Sequence, residues 1–564
     1  MRRTLLLALL GTLVLVVPLT AGAAKHAPTK RTYVVLYERG ASVGAAHRAI
    51  KRAGGRIVRE NPKVGVATVR SANARFAGTV ARSGAVYGAA RNRSIGYAPA
   101  SRARVRDPFA LERMTAERKT APGHGRVHRG GAPAPLDEPF ADLQWDMRMI
   151  NATPTRSYKR QRGNSSVRVG VIDTGIDGSH PDIAPNFNRS LSRNFTTDIP
   201  LIDGACEEDP DGSCNDPSDV DEDGHGTHVA GTIGAPINRL GMAGVAPDVE
   251  LVNIRAGQDS GYFFLQPSVD ALTYAADVGV DVVNMSYYID PWLYNCAGNP
   301  ADSPEEQLEQ QTIIRATERA LAYARSHGVT LVSAEGNGHT DLGKPVIDET
   351  SPDYPPETER SRAIDNSCES MPLEAPGVLG ITSVGPSERK AYYSDYGVEQ
   401  ADLSAPGGDR RDFFGTDRYN TPANTVLAPY PKSVAIANEE LNPDGTPNTP
   451  FVLADCSRGD CAYYQYLQGT SMASPHAVGV AALVVASRGR LDERNGGLTL
   501  SPDVVERVLK RTAQDRPCPN PPVFTYPDPD LTPDYTATCE GTPEFNGFYG
   551  EGIVDAYAAS KKRH

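Results

Sequence analysis

Serine, histidine and aspartate occur in this chain in three settings that suit nucleophilic acyl transfer. The first is Gly469-Thr470-Ser471-Met472-Ala473-Ser474-Pro475-His476, which runs into the apolar stretch Ala477 to Ala486. The pattern predicts a helix, with Gly469 giving a tight turn and Thr470 accepting the first free N–H groups. Ser471 then stands at a helix N-terminus, where unpaired N–H groups and the helix dipole favour negative charge. Its hydroxyl is placed to attack a carbonyl, and its own N–H to stabilise the resulting oxyanion. Pro475 falls in or beside the first turn, where a missing N–H costs least. An ordinary helix start rich in small residues looks the same, so the other two settings decide.

Asp173-Thr174-Gly175 follows the buried run Val167 to Ile172, which puts a carboxylate at the C-terminal end of a predicted strand. His225-Gly226-Thr227-His228 opens a predicted helix. Two histidines three apart can bind a metal, but no third ligand follows in a plausible place. The alternative is one general base and one packed structural histidine, and His225, at the helix start beside Gly226, is the base in that reading. Serine attacks, histidine takes its proton, and aspartate fixes the imidazole and stabilises its cation. Asp-Thr-Gly also occurs in paired form in all-β acid proteases, with Asp259-Ser260-Gly261 as a candidate partner. The alternation of strands and helices around it excludes that reading.

That alternation is what must position the three side chains. Strands are predicted at Val167–Ile172, Leu251–Ile254, Val280–Met285, Val329–Ser333 and Val378–Val384, with helices near Ser268–Ala276 and Pro304–His327. It implies an α/β fold, a parallel sheet between helices with its chemistry at the C-terminal strand ends. Polar insertions interrupt it at 202–223, 287–303, 339–376, 408–463 and 515–545. Ahead of it, residues 32–98 read as a small α+β domain of ferredoxin-like βαββαβ type, one strand of which has no clear place. Residues 99–138 are rich in Arg, Ala, Gly and Pro without apolar periodicity, a linker open to cleavage. Residues 139–564 make up the larger domain.

The chain has 564 residues and a net charge of −11, unevenly spread. Residues 25–130 hold 23 Lys and Arg against 5 Asp and Glu, which leaves about −31 beyond them. No aromatic interleaving or nucleic-acid motif accompanies the basic part, so attraction between two parts of one precursor explains it better than nucleic acid. Met1-Arg2-Arg3, the apolar run Leu5 to Val17 and Ala21-Gly22-Ala23 read as a signal peptide, residues 1–23, and predict a secreted, extracellular protein. No later stretch is long and apolar enough to span a membrane. Eight cysteines in a secreted chain suggest disulfides, with 105 possible connectivities. Proximity favours Cys206/Cys214, Cys296/Cys368, Cys456/Cys461 and Cys518/Cys539. Arg458-Gly459-Asp460 matches an adhesion tripeptide by chance.

The three blocks, in the order Asp…His…Ser, resemble the signature blocks of the subtilisin-like serine proteases over about residues 144–562. The resemblance implies that Asp173 orients, His225 is the base, and Ser471 rather than Ser474 is the nucleophile. Ser333-Ala334-Glu335-Gly336-Asn337-Gly338 resembles the family's oxyanion block, so Asn337 would donate its side-chain amide beside the Ser471 N–H. Asp402 to Gly407 and Gly550 to Ala556 resemble structural blocks. After Val283-Asn284-Met285-Ser286 the family usually has a leucine and two glycines as a substrate rail, whereas Tyr287-Tyr288-Ile289 stands here. Ser286, Tyr287, Tyr288, Ala334, Glu335 and Gly336 are the expected substrate-binding residues, with a narrowed pocket. Asp182 and Gln144 resemble calcium ligands. The loop Pro236 to Met242 has the family's length, with the Asn238 side chain and the carbonyls of Pro236, Leu240 and Met242 as further ligands. Ile237 and Arg239 are atypical there, and the acidic stretch Asp203 to Asp223 reads as solvated. Residues 32–98 resemble the inhibitor propeptide. The expected protein is thus a monomeric endopeptidase for proteins or peptides, inhibited by its own propeptide until cut between Pro99 and Leu136.

Overall fold

The computed structural model describes residues 31–92, 138–207 and 212–561. The signal segment 1–23, residues 93–98 and all of the 99–138 linker except its last residue lie outside them. The smaller body comprises β1 (Arg31–Tyr37), α1 (Val43–Arg52), β2 (Gly55–Asn61), β3 (Val66–Ser71), α2 (Phe76–Val80) and β4 (Val86–Asn92). Its strands form one antiparallel sheet in the order β2-β3-β1-β4. β2 is the strand that sequence patterning does not place. It is an edge strand in which only Asn61 is fully buried, so it carries no buried apolar run.

The two-residue period of β1 serves two partners at once. Tyr33, Val35 and Tyr37 pack with residues of α1 and α2, while Val34 and Leu36 pack into the core of the larger body. Around that apolar contact, Asn61 donates to Asp270 and Thr273 at 2.9 and 2.7 Å, and Thr68 to Gln266 at 2.9 Å. Arg59 pairs with Asp270 at 2.9 Å, and Lys63 with Asp277. These are contacts of basic side chains on acidic ones.

The larger body is built on seven parallel strands: β5 (Arg168–Ile172), β6 (Arg193–Asn194), β7 (Glu250–Arg255), β8 (Val282–Met285), β9 (Thr330–Ala334), β10 (Val378–Val384) and β11 (Ala401–Pro406). Their order is β11-β10-β9-β8-β5-β7-β6, an α/β sheet. Helices cover both faces: α3 (His225–Gly234), α4 (Leu265–Asp277), α5 (Pro304–Ser326) and α6 (Thr470–Arg488). The Val- and Ile-rich strands suit a sheet buried on both sides. Val169 and Val171 of β5 cluster with Val229 and Ile233 of α3 and Val478 of α6. Ile172 clusters with Val269 of α4 and Ile313 of α5. α5 starts in a reciprocal capping box between Ser303 and Glu306, with Pro304 in its first turn. Among the described helices only α6 is long and apolar enough to cross a membrane, and 89% of its apolar window is buried, so it is a core helix.

β5 lies between β7 and β8, so the chain departs from it in both directions across the sheet. The C-terminal ends of β5, β8 and β9 consequently stand side by side, and the three blocks are mounted there. The insertion 408–463 is less loop-like than its polar composition suggests. It supplies β12 (Val426–Tyr430) and β13 (Val452–Asp455), which flank β14 (Ala462–Leu467) in an antiparallel sheet leading into α6. The four neighbouring cysteine pairs are all disulfide-bonded.

Candidate active site

Asp173 follows directly on β5 and is fully buried. Its Oδ1 accepts the Nδ1–H of His225 at 2.7 Å and the backbone N–H of Thr174 at 2.8 Å. Burial pushes the carboxyl up, and the adjacent imidazole is the largest influence pulling it back. His225 reaches it because Gly226 lets α3 approach the turn after β5. A Cβ on Gly226 would lie 2.0 Å from the Gly175 carbonyl oxygen and 3.1 Å from the Asp173 Cβ. Any side chain there would force the helix away.

Asp221 anchors the same helix end. Its Oδ2 accepts the N–H and hydroxyl of Thr227 at 2.9 and 2.6 Å, and its Oδ1 the Gly224 N–H at 2.9 Å and the Thr174 hydroxyl at 3.1 Å. This residue ties the Asp173 turn to the His225 helix, and a site reading that looks only for reacting groups misses it. A carboxylate four residues before a helix-starting histidine is the signal that could have found it. The acidic stretch is therefore not simply solvated: Asp216, Asp221 and Asp223 are buried. Asp216 pairs with the buried Arg255, which also meets Asp198 at 2.9 Å and Asp259 at 2.7 Å. Asp259 thus belongs to an ion-pair network.

His228 has a different role from His225. Its Nε2–H lies 3.1 Å from both the Val426 and Gln465 carbonyls, joining α3 to the antiparallel sheet. Burial drives its imidazole down from 6.5 to about 3, so it is neutral in the fold. The unfolded chain takes up this proton near pH 6.5 and the folded chain only near 3, so stability falls as pH drops through that window. The melting temperature is expected to decline from about pH 7 to about pH 4. His228→Gln, which keeps an N–H donor for the carbonyls, is expected to make that decline shallower. An equally steep decline in the variant would contradict the assignment.

Ser471 is the second residue of α6. Gly469 occupies the N-cap, and Thr470 does not accept the helix N–H groups as its position suggested. Its hydroxyl instead donates to Asn337 Oδ1 at 3.0 Å and accepts from the Gly336 N–H at 3.1 Å. Asn337 Oδ1 also accepts the Thr470 N–H at 2.9 Å, so the amide oxygen of Asn337 is committed to the helix start that carries Ser471. The two N–H groups of the amide are thereby left for other partners. Pro475 removes the donor that the Ser471 carbonyl would have in a regular helix. The Ser286 hydroxyl stands 3.4 Å from that carbonyl. His476 braces the turn from behind, between the Met472 carbonyl at 2.8 Å and Asp146 at 3.0 Å. Ser474 is fully buried and donates to Asn284 at 2.9 Å, with Ser286 also 2.9 Å away.

Ser286 directly follows β8, and Ala334 ends β9. The Tyr287 ring stacks on Phe263 with centroids 4.1 Å apart, and the Tyr288 hydroxyl donates to Asp353 at 2.5 Å. Both rings are engaged with neighbouring loops. The Glu335 N–H is bonded to β10 through the Ile381 carbonyl at 3.1 Å, and its carboxyl is buried toward Gly380. Burial, then the nearby Asp402, Asp395 and Glu374, hold that carboxyl well above its ordinary range.

The expected calcium ligands are partly assembled. Asp182 is buried; its Oδ1 faces the Asn238 amide nitrogen at 3.0 Å, and its Oδ2 accepts from the Tyr464 hydroxyl at 3.0 Å and the Met242 N–H at 3.3 Å. The Asn238 side-chain oxygen is buried without a hydrogen-bond partner. Burial holds the Asp182 carboxyl well above its ordinary range. A buried carboxylate beside an orphaned amide oxygen is a donor set for calcium, so these residues fit the ion. The Leu240 N–H donates to Glu138 at 2.9 Å, and Pro236 lies in the same loop. Gln144 is less available, since its amide pairs with both backbone groups of Ala243, at 2.8 and 3.2 Å.

A buried aspartate–histidine pair, a serine at a helix start and an adjoining asparagine, all at one edge of a parallel α/β sheet, define a serine peptidase. Residues 164–552 match the model of the subtilase family, peptidase S8, and the chain belongs to that family. The thermophilic serine proteinase of Bacillus sp. (strain AK1) is 27% identical over 352 residues, 62% of this chain and 56% of that one. Subtilisin DY of Bacillus licheniformis is 26% identical over 322 residues, 57% and 77% of the two chains. The nisin leader peptide-processing serine protease NisP of Lactococcus lactis is 28% identical over 356 residues, 62% and 45%. This chain therefore spans little more than half of the first of these. Among solved structures, the epidermin leader peptide processing serine protease of Staphylococcus aureus superposes with a TM-score of 0.59 at 19% identity, over 95% of this chain and all of that one. Fervidolysin of Fervidobacterium pennivorans gives 0.53 at 19% identity, over 95% and 61%.

Proposed function

We propose that this protein is a secreted endopeptidase, made as a precursor that its N-terminal segment keeps inactive, and that it cuts peptide bonds through an acyl-enzyme on Ser471. The observation that carries the reading is the buried Asp173–His225 pair, 2.7 Å apart, beside a helix start that ties Ser471 to Asn337. The Ser471 hydroxyl attacks the substrate carbonyl carbon as His225 Nε2 takes its proton. The Asn337 amide and the Ser471 N–H hold the oxyanion. His225 then gives the proton to the leaving amine, and water repeats the cycle to release the acid. Asp173 keeps the imidazole in its working tautomer and stabilises the imidazolium.

The Met1–Ala23 pattern supports secretion, and the docked β1–β4 body supports self-inhibition. Its apolar face is buried on α4 and α5, and a basic charge balance faces an acidic domain. Intact mass and N-terminal sequencing of the secreted protein test this. A mature chain beginning between residues 99 and 136 is expected. An active secreted enzyme that retains residues 32–98 covalently would contradict it.

Calcium is proposed at Asp182 and Asn238, with the carbonyls of Pro236, Leu240 and Met242; Gln144 would join only through the lone pair of its amide oxygen that Ala243 does not use. When bound, it would neutralise a buried carboxylate and tie the loop to the segment after β5, a structural role. A chelator is then expected to lower the melting temperature by several degrees, and Asp182→Ala to lower it and abolish the chelator effect. An unchanged melting temperature in chelator would remove the ion.

A further inference from the structure

The two oxyanion donors assigned above sit on different elements, Asn337 on the loop after β9 and Ser471 on α6. Their separation must be fixed to tenths of an ångström for both to meet one oxygen. The direct link between them is short, through Thr470. A second connection runs underneath, through residues 390–396 between β10 and β11. The Asp395 N–H donates to the Gly336 carbonyl at 2.9 Å, the His339 N–H to Tyr393 at 2.8 Å, and the Tyr396 N–H to Thr340 at 3.0 Å. The Asp395 carboxylate closes the turn around Asn337: its Oδ1 accepts the Thr340 N–H at 2.6 Å, and the Gly338 N–H also points to it. Gly336, at φ 113°, lies so close that a Cβ there would sit 2.3 Å from Asp395 Oδ2.

The other end of the segment reaches the nucleophile. The Tyr393 hydroxyl lies 3.1 and 2.6 Å from the carbonyls of Gly407 and Gly408, and the Gly407 carbonyl accepts the Gly469 N–H at 2.9 Å, at the N-cap of α6. The buried Lys390 holds the middle. Its ammonium donates to the Ala391 and Ser394 carbonyls at 3.0 and 2.6 Å and lies 4.8 Å from the Tyr396 ring centroid. Burial pushes the Lys390 amine down and the Asp395 carboxyl up, each to about 7, and each group favours the charged form of the other across the interior.

We infer that Asp395, with Lys390 and Tyr393 behind it, is a positioning residue for catalysis: it braces the Asn337 turn against the helix start and so sets the spacing of the two oxyanion donors. The inference rests on Asn337 being an oxyanion donor, so Asn337→Ala is the reference variant. Steady-state kinetics on a peptide amide, and the affinity for a peptide aldehyde, are compared for wild type, Asn337→Ala, Asp395→Ala, Asp395→Asn and Lys390→Met. Asp395→Ala is expected to lower kcat by about 10- to 100-fold with KM within about threefold, and to weaken aldehyde binding by a similar factor. Asp395→Asn is expected to recover most of the loss, because its oxygen still accepts from Thr340. If Asp395→Ala does not fold, Lys390→Met carries the test, with a smaller fall in kcat and the same unchanged KM. Wild-type kcat in a folded Asp395→Ala, or in Lys390→Met should it be the only folded one, alongside a depressed Asn337→Ala overturns the brace. Wild-type kcat in Asn337→Ala overturns the oxyanion assignment instead.

Discussion

Replacing Ser471 by alanine is expected to lower kcat on peptide amides by on the order of 10⁶ and to leave the secreted chain uncut. The magnitude follows from the geometry. Ser471 is the nucleophile of the proposed mechanism, and Ser474 cannot replace it, being fully buried with its hydroxyl donated to Asn284. Loss of the nucleophile removes the covalent route altogether, and what remains is orientation and the oxyanion donors. The substitution removes one oxygen at the end of a stable core helix, so the melting temperature should move little. Residual activity near wild type, or normal maturation of the variant, would show that another group is attacking. Kinetics of the purified variant and an intact-mass spectrum of the secreted chain check both halves.

Asn337→Ala is expected to lower kcat by about 10²–10³, with KM changed little, because in the proposed mechanism its amide meets charge that exists only in the transition state. The substitution also takes away the acceptor for the Thr470 N–H and hydroxyl, at 2.9 and 3.0 Å. Some of the loss could thus reflect a loosened helix start. Asn337→Asp separates the two contributions, since it keeps the acceptor while removing the donor. It is expected to be as slow as the alanine variant while melting closer to wild type. A fast Asn337→Asp would mean that only the acceptor mattered.

Much of this site is legible from the order of three short blocks, because each requirement is local. A strand end displays a carboxylate, a glycine permits a helix to approach, and a helix start presents N–H groups. What patterning misreads are contacts made across the fold. Thr470 has the type and position of a helix cap, yet its hydroxyl is claimed by Gly336 and Asn337, 133 or more residues away. The stretch from Asp203 to Asp223 looks solvated by composition, yet Arg255 and the start of α3 draw several of its carboxylates inside. Glu335 falls in a block expected to line the cleft, and its side chain turns into the sheet instead. β2 escapes notice because an exposed edge strand has no apolar signature. Asp395 and Lys390 are invisible for a related reason: a buried ionisable side chain reads as surface charge until its surroundings are known.

The central claim is that Ser471, alone among the serines, is made nucleophilic by its place beside the His225 imidazole and the Asn337 amide. Labelling the mature enzyme with a fluorophosphonate and mapping the adduct by peptide mass spectrometry tests this most directly. The account predicts one adduct per chain, on Ser471, absent from His225→Ala. An adduct on Ser474 or elsewhere, labelling that persists in His225→Ala, or no labelling of an active enzyme would contradict it.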